Sequence, residues 1–425
     1  MTEFDLNIPE VPELAEKVPY ITRGRVARKL SVMAMRKFLT NDIVRRGILP
    51  TKRTKLVLNN LESHLNPNST PDQIVLDHLF AVRDEIFLLA NTNEHFDEWM
   101  RDFEYSQEHI DDPPLHDHVL RSHEKRQRPN GQIPTAVGIW GSTPWHFADD
   151  ESTLLYIISA TSLISKDKET FLTPEREEAV DKAVWFTKQH VHDSLYVTPK
   201  GERRGWIDAF IHPRSDVITQ NQGLYAVALM GLNSVGYGIG GWEIVRAKDS
   251  YRKLAEKRGY LPYSGVFDEA IGPGSLHPEY YAITRFGQRM LSDQIVEDTI
   301  ANLPRSRYGV KVLATSPKGD YFDPTCFVKL RGKPYEKGDY QNGGIWRKWW
   351  NDAMVVGELH GVLDGEDRNY RKVILDQEDA TNWSEYSPTG GEYEEKLIGI
   401  RPWHVWDVSV PATHKVVDKV LSRAA

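Results

Sequence analysis

Gly-Asp-Tyr-Gln-Asn-Gly-Gly-Ile-Trp, residues 338–346, runs without a break into an apolar-periodic stretch over 346–362. Paired glycines ahead of an aromatic and a helix mark a tight turn where backbone can approach a ligand closely. Tyr340, Gln341, Asn342 and Trp346 crowd amides and aromatic faces onto that turn. Rings that stack on C–H faces and amides that bridge hydroxyls are what a protein uses to hold a sugar. The plainer alternative is a helix-opening loop whose tryptophan belongs to the core. The choice depends on the rest of the chain.

Helical patterns dominate that rest. Apolar residues recur near a 3.6 period over 73–90, 153–164, 219–230, 242–258, 280–303, 346–363 and 403–421, and each span is expected to be a helix. Residues 25–39 are basic and amphipathic. The span 174–190 opens on Pro174 with Glu175, Glu177 and Glu178 in its first turn, a strong helix start. Strand signals are few, at 194–198 and 310–313. Long loops rich in Gly, Pro, Trp and His separate the helices over 106–146, 197–216, 261–278, 315–345 and 379–402. Loops of that length inside a compact domain are usually functional. Their recurrence predicts helical hairpins set in a ring, with the long loops at one end. An α-solenoid is the alternative, but the helix lengths are irregular for one.

Composition sets the outer bounds. A chain of 425 residues would ordinarily divide into two or three domains, yet no linker is visible. We expect a single toroidal domain over 71–425, preceded by an extension over 1–70 that packs on the ring or against a second subunit of a homo-oligomer. With 53 basic and 61 acidic residues the net charge is −8, no footprint for nucleic acid. No apolar run reaches the length of a membrane span. The acidic first sixteen residues lack a secretory signal's apolar region, and Cys326 is the single cysteine, so a cytoplasmic protein is expected. No metal-ligand spacing is present, and neither a metal nor a cofactor is expected.

The chemistry concentrates at four loop-to-helix junctions. Arg83-Asp84 interrupts an apolar run, where a charged pair needs a partner or a pocket. Trp145-His146 leads into Asp149-Asp150-Glu151 at the start of an apolar helix, where acids also suit the helix dipole. Gly205-Trp206-Ile207-Asp208 sets an acid beside a tryptophan, followed by Gln220-Asn221-Gln222. A carboxyl against an aromatic face is desolvated, which raises its pKa and suits a general acid. The fourth junction brackets Glu385 between Trp383 and Tyr386, and Trp403-His404 follows. Two such carboxyls from distant parts of a chain are what glycoside hydrolysis requires.

These blocks resemble the six-hairpin (α/α)6-toroid glycoside hydrolases, in the clan that holds the processing α-glucosidases. The glucosylglycerate and mannosylglycerate hydrolases, the neutral invertases and the amylo-α-1,6-glucosidases belong to the same clan. Residues 340–346 are similar to the clan's Tyr-x-Asn-Gly-Gly-x-Trp block, and Arg83-Asp84 to an early Arg-Asp pair. Residues 205–208 are similar to the block of the general acid, and 383–386 to that of the general base. The resemblance implies an all-α toroid and an inverting enzyme that cleaves an α-glycosidic, most simply α-glucosidic, bond. Asp208 would be the acid and Glu385 the base, with Glu392 or Glu394 as alternatives for the base. Inversion would place the two carboxyls roughly 6.5–9.5 Å apart. Arg83, Asp84, Trp145, His146, Glu151, Trp206, Gln222, Tyr340, Asn342, Gly343, Trp346, Trp383, Trp403 and His404 would line the sugar site.

The chain departs from the pattern in three places. Arg347 stands where a proline often follows the tryptophan, Gln220-Asn221-Gln222 replaces a Glu-x-Gln, and Glu151 lies where an aspartate commonly opens its helix. Loop histidines His146, His212, His277 and His404 keep a sugar isomerase or epimerase on the same toroid open. So does a sugar-binding toroid without catalysis.

Overall fold

The computed structural model describes residues 79–82, 85–88, 97–107, 112–138, 150–198, 201–202, 207, 210–212, 214–315, 319–327, 335–381, 386–390, 397–399 and 407–424. The extension over 1–70 and the helix expected at 25–39 lie outside them.

The chain opens with a hairpin, β1 (Leu79–Val82) against β2 (Glu85–Leu88), with Val82 opposite Glu85. This overturns the helix expected over 73–90. The apolar run is short and is interrupted by two charged residues in sequence, and a run of that length fits a strand as well as a helix. β3 (Asp97–Trp99) then leads into α1 (Met100–Ser106), followed by α2 (Pro113–Glu124) and by β4 (Ala136–Gly138), which pairs back on β3. Both helices fall where a loop was expected over 106–146 or just before it. α1 carries no apolar stripe because every one of its residues is buried, polar ones included. The start of α2 was there to be read. Asp112 caps it, accepting from Leu115 N at 2.9 Å, and Pro113 and Pro114 occupy its first turn.

The remaining helices alternate between a buried and a half-exposed kind. α3 (Glu151–Lys166) and α4 (Pro174–Gln189) are followed by α5 (Thr219–Ser234) and α6 (Gly241–Lys253). Then come α7 (His277–Phe286) and α8 (Asp293–Asn302), α9 (Arg347–His360) and α10 (Tyr370–Ala380), and last α11 (Val410–Ala424). The span 280–303 is thus two helices. The first ends on Gly287 in the left-handed conformation, and Ser292 caps the second by accepting from Ile295 N at 3.3 Å. α5 does not stop at Gly231 as expected. That glycine lets α5 lie against α3, because a Cβ there would stand 2.3 Å from the Thr161 hydroxyl. α10 was not expected, and the strands at 194–198 and 310–313 shrink to the arms of two-residue hairpins.

The odd-numbered helices form an inner ring. α1 packs on α3, α3 on α5, α5 on α7, α7 on α9 and α9 on α11. A 3-10 turn at Asp407–Ser409, just before α11, closes the circle against α1. The even-numbered helices sit outside, each with one buried stripe; on α4 it is Arg176, Ala179, Val180, Ala183, Phe186 and Thr187. Inner helices run parallel. Gly223, near the start of α5, lies against Pro278 at the start of α7, while Ser162 near the end of α3 meets Arg285 near the end of α7. This is the all-α toroid of helical hairpins, and its first turns gather at one end. Among the described residues no helix is long and apolar enough to cross a membrane.

Candidate active site

The gathered first turns bring buried polar side chains together about the ring axis. Glu151 opens α3, Gln220 is the second residue of α5, His277 opens α7, and Lys348 and Asp352 lie in the first turns of α9; all are at most 1 % exposed. Tyr105, from α1, donates its hydroxyl to Glu151 Oε1 and accepts from Gln220 Nε2 at 3.4 Å. Arg101 Nη1 stands 3.9 Å from Glu151 Oε2. Burial, then the neighbouring Glu151 carboxyl, pushes the Tyr105 phenol well above its ordinary pKa, so it stays a donor. An acid in the first turn of α3 also suits the positive end of that helix.

A second buried group adjoins the first. His277 Nδ1 lies 2.7 Å from Asp352 Oδ2, and Lys348 Nζ lies 2.8 Å from Asp352 Oδ1. Burial pushes the Asp352 carboxyl up, but Lys348 and His277 outweigh it and hold the group below the usual carboxylate range. Burial also lowers His277 to about 4, against the pull of Asp352, so the ring is neutral near pH 7. Tyr105, His277 and Trp349 meet edge to face, with centroids 4.8 to 5.0 Å apart. The two polar groups therefore share one aromatic wall.

The block at 338–346 sits at the same end, immediately before α9. Tyr340 takes φ 41° and Gly343 φ 94°, and a Cβ on Gly343 would stand 2.5 Å from the Tyr321 ring. Asn342 is fully buried. Its Oδ1 accepts from Phe322 N at 3.1 Å, and its Nδ2 donates to Phe322 O at 3.1 Å and Tyr335 O at 3.4 Å. Trp346 is 2 % exposed and donates Nε1 to Tyr340 O at 3.2 Å. The block is stitched to residues 386–390. Ile345 and Ser387 exchange backbone bonds of 2.8 and 2.9 Å, Thr389 N donates to Gly338 O at 2.8 Å, and the Tyr386 ring stacks on Trp346 at 6.0 Å. Arg347, the residue in the proline's place, donates to Ser387 Oγ at 2.8 Å and pairs with Glu378 at 3.2 Å.

These contacts revise two expected sugar ligands. The Asn342 amide is committed to backbone and shapes its loop. Gln222 does likewise, accepting from Tyr196 N at 2.7 Å and donating to Ala247 O at 3.0 Å, which ties α5 to its outer partner α6. A sugar hydroxyl would have to displace those bonds. Tyr340 and Trp346 form an aromatic wall of the block with Tyr335 and Tyr386. Glu151 does face the axis. Asp208, Glu385, Arg83, Asp84, Trp145, His146, Trp206, Trp383, Trp403 and His404 lie outside the described residues, as do Glu392 and Glu394. The chain next to the first two is described: Ile207 and Phe210 are fully buried, and Tyr386 and Ser387 are pinned as above.

Sequence reasoning missed Arg101, Tyr105, Gln220, Lys348 and Asp352, and it placed His277 only among loop histidines. One signal was present: Lys348 and Asp352 form a spaced charge pair in an apolar helix, where a buried charge needs a partner. Among the described residues no group of three His, Cys, Asp or Glu could hold a metal ion.

No family model matches this sequence, and no curated protein matches it either. Solved structures do resemble the fold. A GH63 mannosylglycerate hydrolase from Thermus thermophilus, in complex with Tris, is 12 % identical, covers 81 % of this chain and 99 % of its own, and has a TM-score of 0.53. A glycosidase, solved as a single-residue variant, is 15 % identical over 88 % of this chain and 99 % of its own, with a TM-score of 0.55. A bacterial glucoamylase complexed with acarbose is 15 % identical over 83 % of this chain and 56 % of its own, with a TM-score of 0.51. At such identities the likeness establishes a shared (α/α)6 architecture.

Proposed function

We propose that this chain is an inverting glycoside hydrolase acting on an α-glycosidic, most simply α-glucosidic, bond of a small glycoside or oligosaccharide. Asp208 is the acid that protonates the leaving oxygen, and Glu385 is the base that activates water on the opposite face of the sugar. Arg83, Asp84, Trp145, His146, Glu151, Trp206, Tyr340, Gly343, Trp346, Trp383, Trp403 and His404 hold the sugar. The observation that carries the reading is the stitching of residues 386–390 to the Asn-Gly-Gly block at the polar end of the ring. It anchors the segment that follows Glu385 on the rigid start of α9, as a base that must hold a water in place requires. The fold shared with a mannosylglycerate hydrolase, a glycosidase and a glucoamylase supports the same class.

The test is turnover by the purified protein on sucrose, trehalose, maltose, isomaltose, glucosylglycerate, mannosylglycerate and a limit dextrin. Asp208→Asn and Glu385→Gln are run alongside. One substrate is expected to be cleaved by the wild type, with kcat lowered by at least about 10²-fold in each variant. Full activity in either variant would remove that residue from its role.

One observation favours a second reading. An imidazole oriented by a carboxylate, as His277 is by Asp352, is also the acid–base equipment of a sugar isomerase. Interconversion of free aldoses and ketoses, with no α-glycoside cleaved, would select it.

A further inference from the structure

His277 has one hydrogen-bonding atom more than its surroundings use. A carboxylate only accepts, so Nδ1 carries the proton given to Asp352 Oδ2 at 2.7 Å, and Nε2 is left as a lone-pair acceptor. The salt link from Lys348 to the other oxygen of Asp352 fixes the carboxylate, and the carboxylate fixes the tautomer. Nor can the ring turn to find another partner. The edges and faces of Tyr105, Trp349 and Tyr281 enclose it at centroid distances of 4.8, 5.0 and 4.3 Å.

His277 is 0 % exposed, and its Nε2 meets no hydrogen-bond donor among the described residues. A buried acceptor left in that state costs about 1–3 kcal/mol, and native proteins seldom leave one without an occupant. The occupant must bring a donor. A bare carboxylate or carbonyl would set lone pair against lone pair, and burial keeps the imidazole neutral near pH 7. The position is also specific. The ring opens α7 on the wall it shares with Tyr105, whose hydroxyl holds Glu151, an expected sugar-site residue that faces the axis.

We infer that His277 Nε2 receives one hydroxyl of the bound sugar and so determines specificity within the site. This rests on the glycoside reading, and it predicts discrimination rather than catalysis. A sugar lacking that hydroxyl would leave Nε2 buried and unpaired, which is how polar sites reject deoxy analogues.

The experiment uses the full chain labelled with ¹⁵N-histidine, with D-glucose and the 2-, 3-, 4- and 6-deoxyglucoses as probes. Tryptophan fluorescence follows binding, and long-range ¹H–¹⁵N correlation follows the two His277 nitrogens. The expected result has three parts. Nε2 shifts on saturation with glucose while Nδ1 holds. One deoxyglucose binds roughly tenfold more weakly than glucose, the worth of one hydrogen bond. His277→Phe, which keeps an aromatic ring and removes the acceptor, binds the two alike. Should that variant fail to fold, the wild-type Nε2 shift and the deoxyglucose series decide alone. Fluorescence quenching by glucose with Nε2 unmoved would overturn the inference and leave the sugar site standing, Nε2 then holding water. Glucose that neither quenches nor shifts Nε2, in a protein that also cleaves none of the glycosides, would overturn both.

Discussion

Two polar regions lie at the same end of the ring and are built in opposite ways. In the block at 338–346 side-chain amides bond to backbone; the three bonds of Asn342 run to Phe322 and Tyr335 main-chain groups. At the axis, side chains bond to side chains: Tyr105 to Glu151, His277 and Lys348 to Asp352, with one imidazole nitrogen left over. The first arrangement fixes a loop. The second stores charge and hydrogen-bonding capacity where a ligand can use it. Asn342, at the centre of the conspicuous motif, therefore fixes its loop, and the polar side chains with capacity to spare are scattered over the inner helices.

Removing the centre of the axial group should have the largest effect. Asp352→Ala leaves the Lys348 ammonium buried without its partner and is expected to destabilise the fold by about 3–5 kcal/mol, read from urea unfolding. A loss below about 1 kcal/mol would mean that water already reaches Lys348, and the contrast between the regions would weaken.

Acid should attack the same region next. Folded His277 titrates near 4, below its ordinary 6.5, and His414 likewise near 4. The unfolded chain thus takes up these protons first as pH falls, and the contribution of the two histidines drops between pH 6.5 and about 4, while His123, lowered to about 3, and the depressed Asp352 carry the loss to lower pH. His277 alone accounts for roughly 3 kcal/mol across that window. His277→Phe should flatten the pH dependence of the urea midpoint, and an unchanged slope would place the ring in contact with solvent.

Smaller effects are expected from the scaffold. Asn342→Ala should cost about 2 kcal/mol in lost backbone bonds. Because its amide is committed to Phe322 and Tyr335 backbone, kcat is expected to fall with KM little changed, as the loop beside Ser387 loosens. A rise in KM alone would return Asn342 to the sugar. Gln222→Leu should cost about 1–2 kcal/mol and leave both kinetic constants alone. A change in KM there would contradict its assignment to the seam between α5 and α6.

The same contrast explains what could be read from the sequence. Helices that bury one stripe or a continuous apolar run, such as α3 and α4, declare themselves by period, so the all-α ring was legible. α1 was not, because Arg101, Asp102 and Glu104 are all buried in it and break any stripe. The hairpin of 79–82 with 85–88 was misread because short apolar runs satisfy both periods. In the site, residue types near the ring end were visible, but not where each amide would point. Nothing local separates Asn342, used by its own loop, from Gln220, aimed at Tyr105. The axial group joins α1, α3, α5, α7 and α9, so no window of sequence contains it.

The most direct test of the central claim follows the anomer first released from an α-glucoside by proton NMR, before mutarotation, in the wild type and in Asp208→Asn and Glu385→Gln. The β-anomer is expected from the wild type, and no release from either variant. Release of the α-anomer, or unimpaired release by both variants, would contradict it.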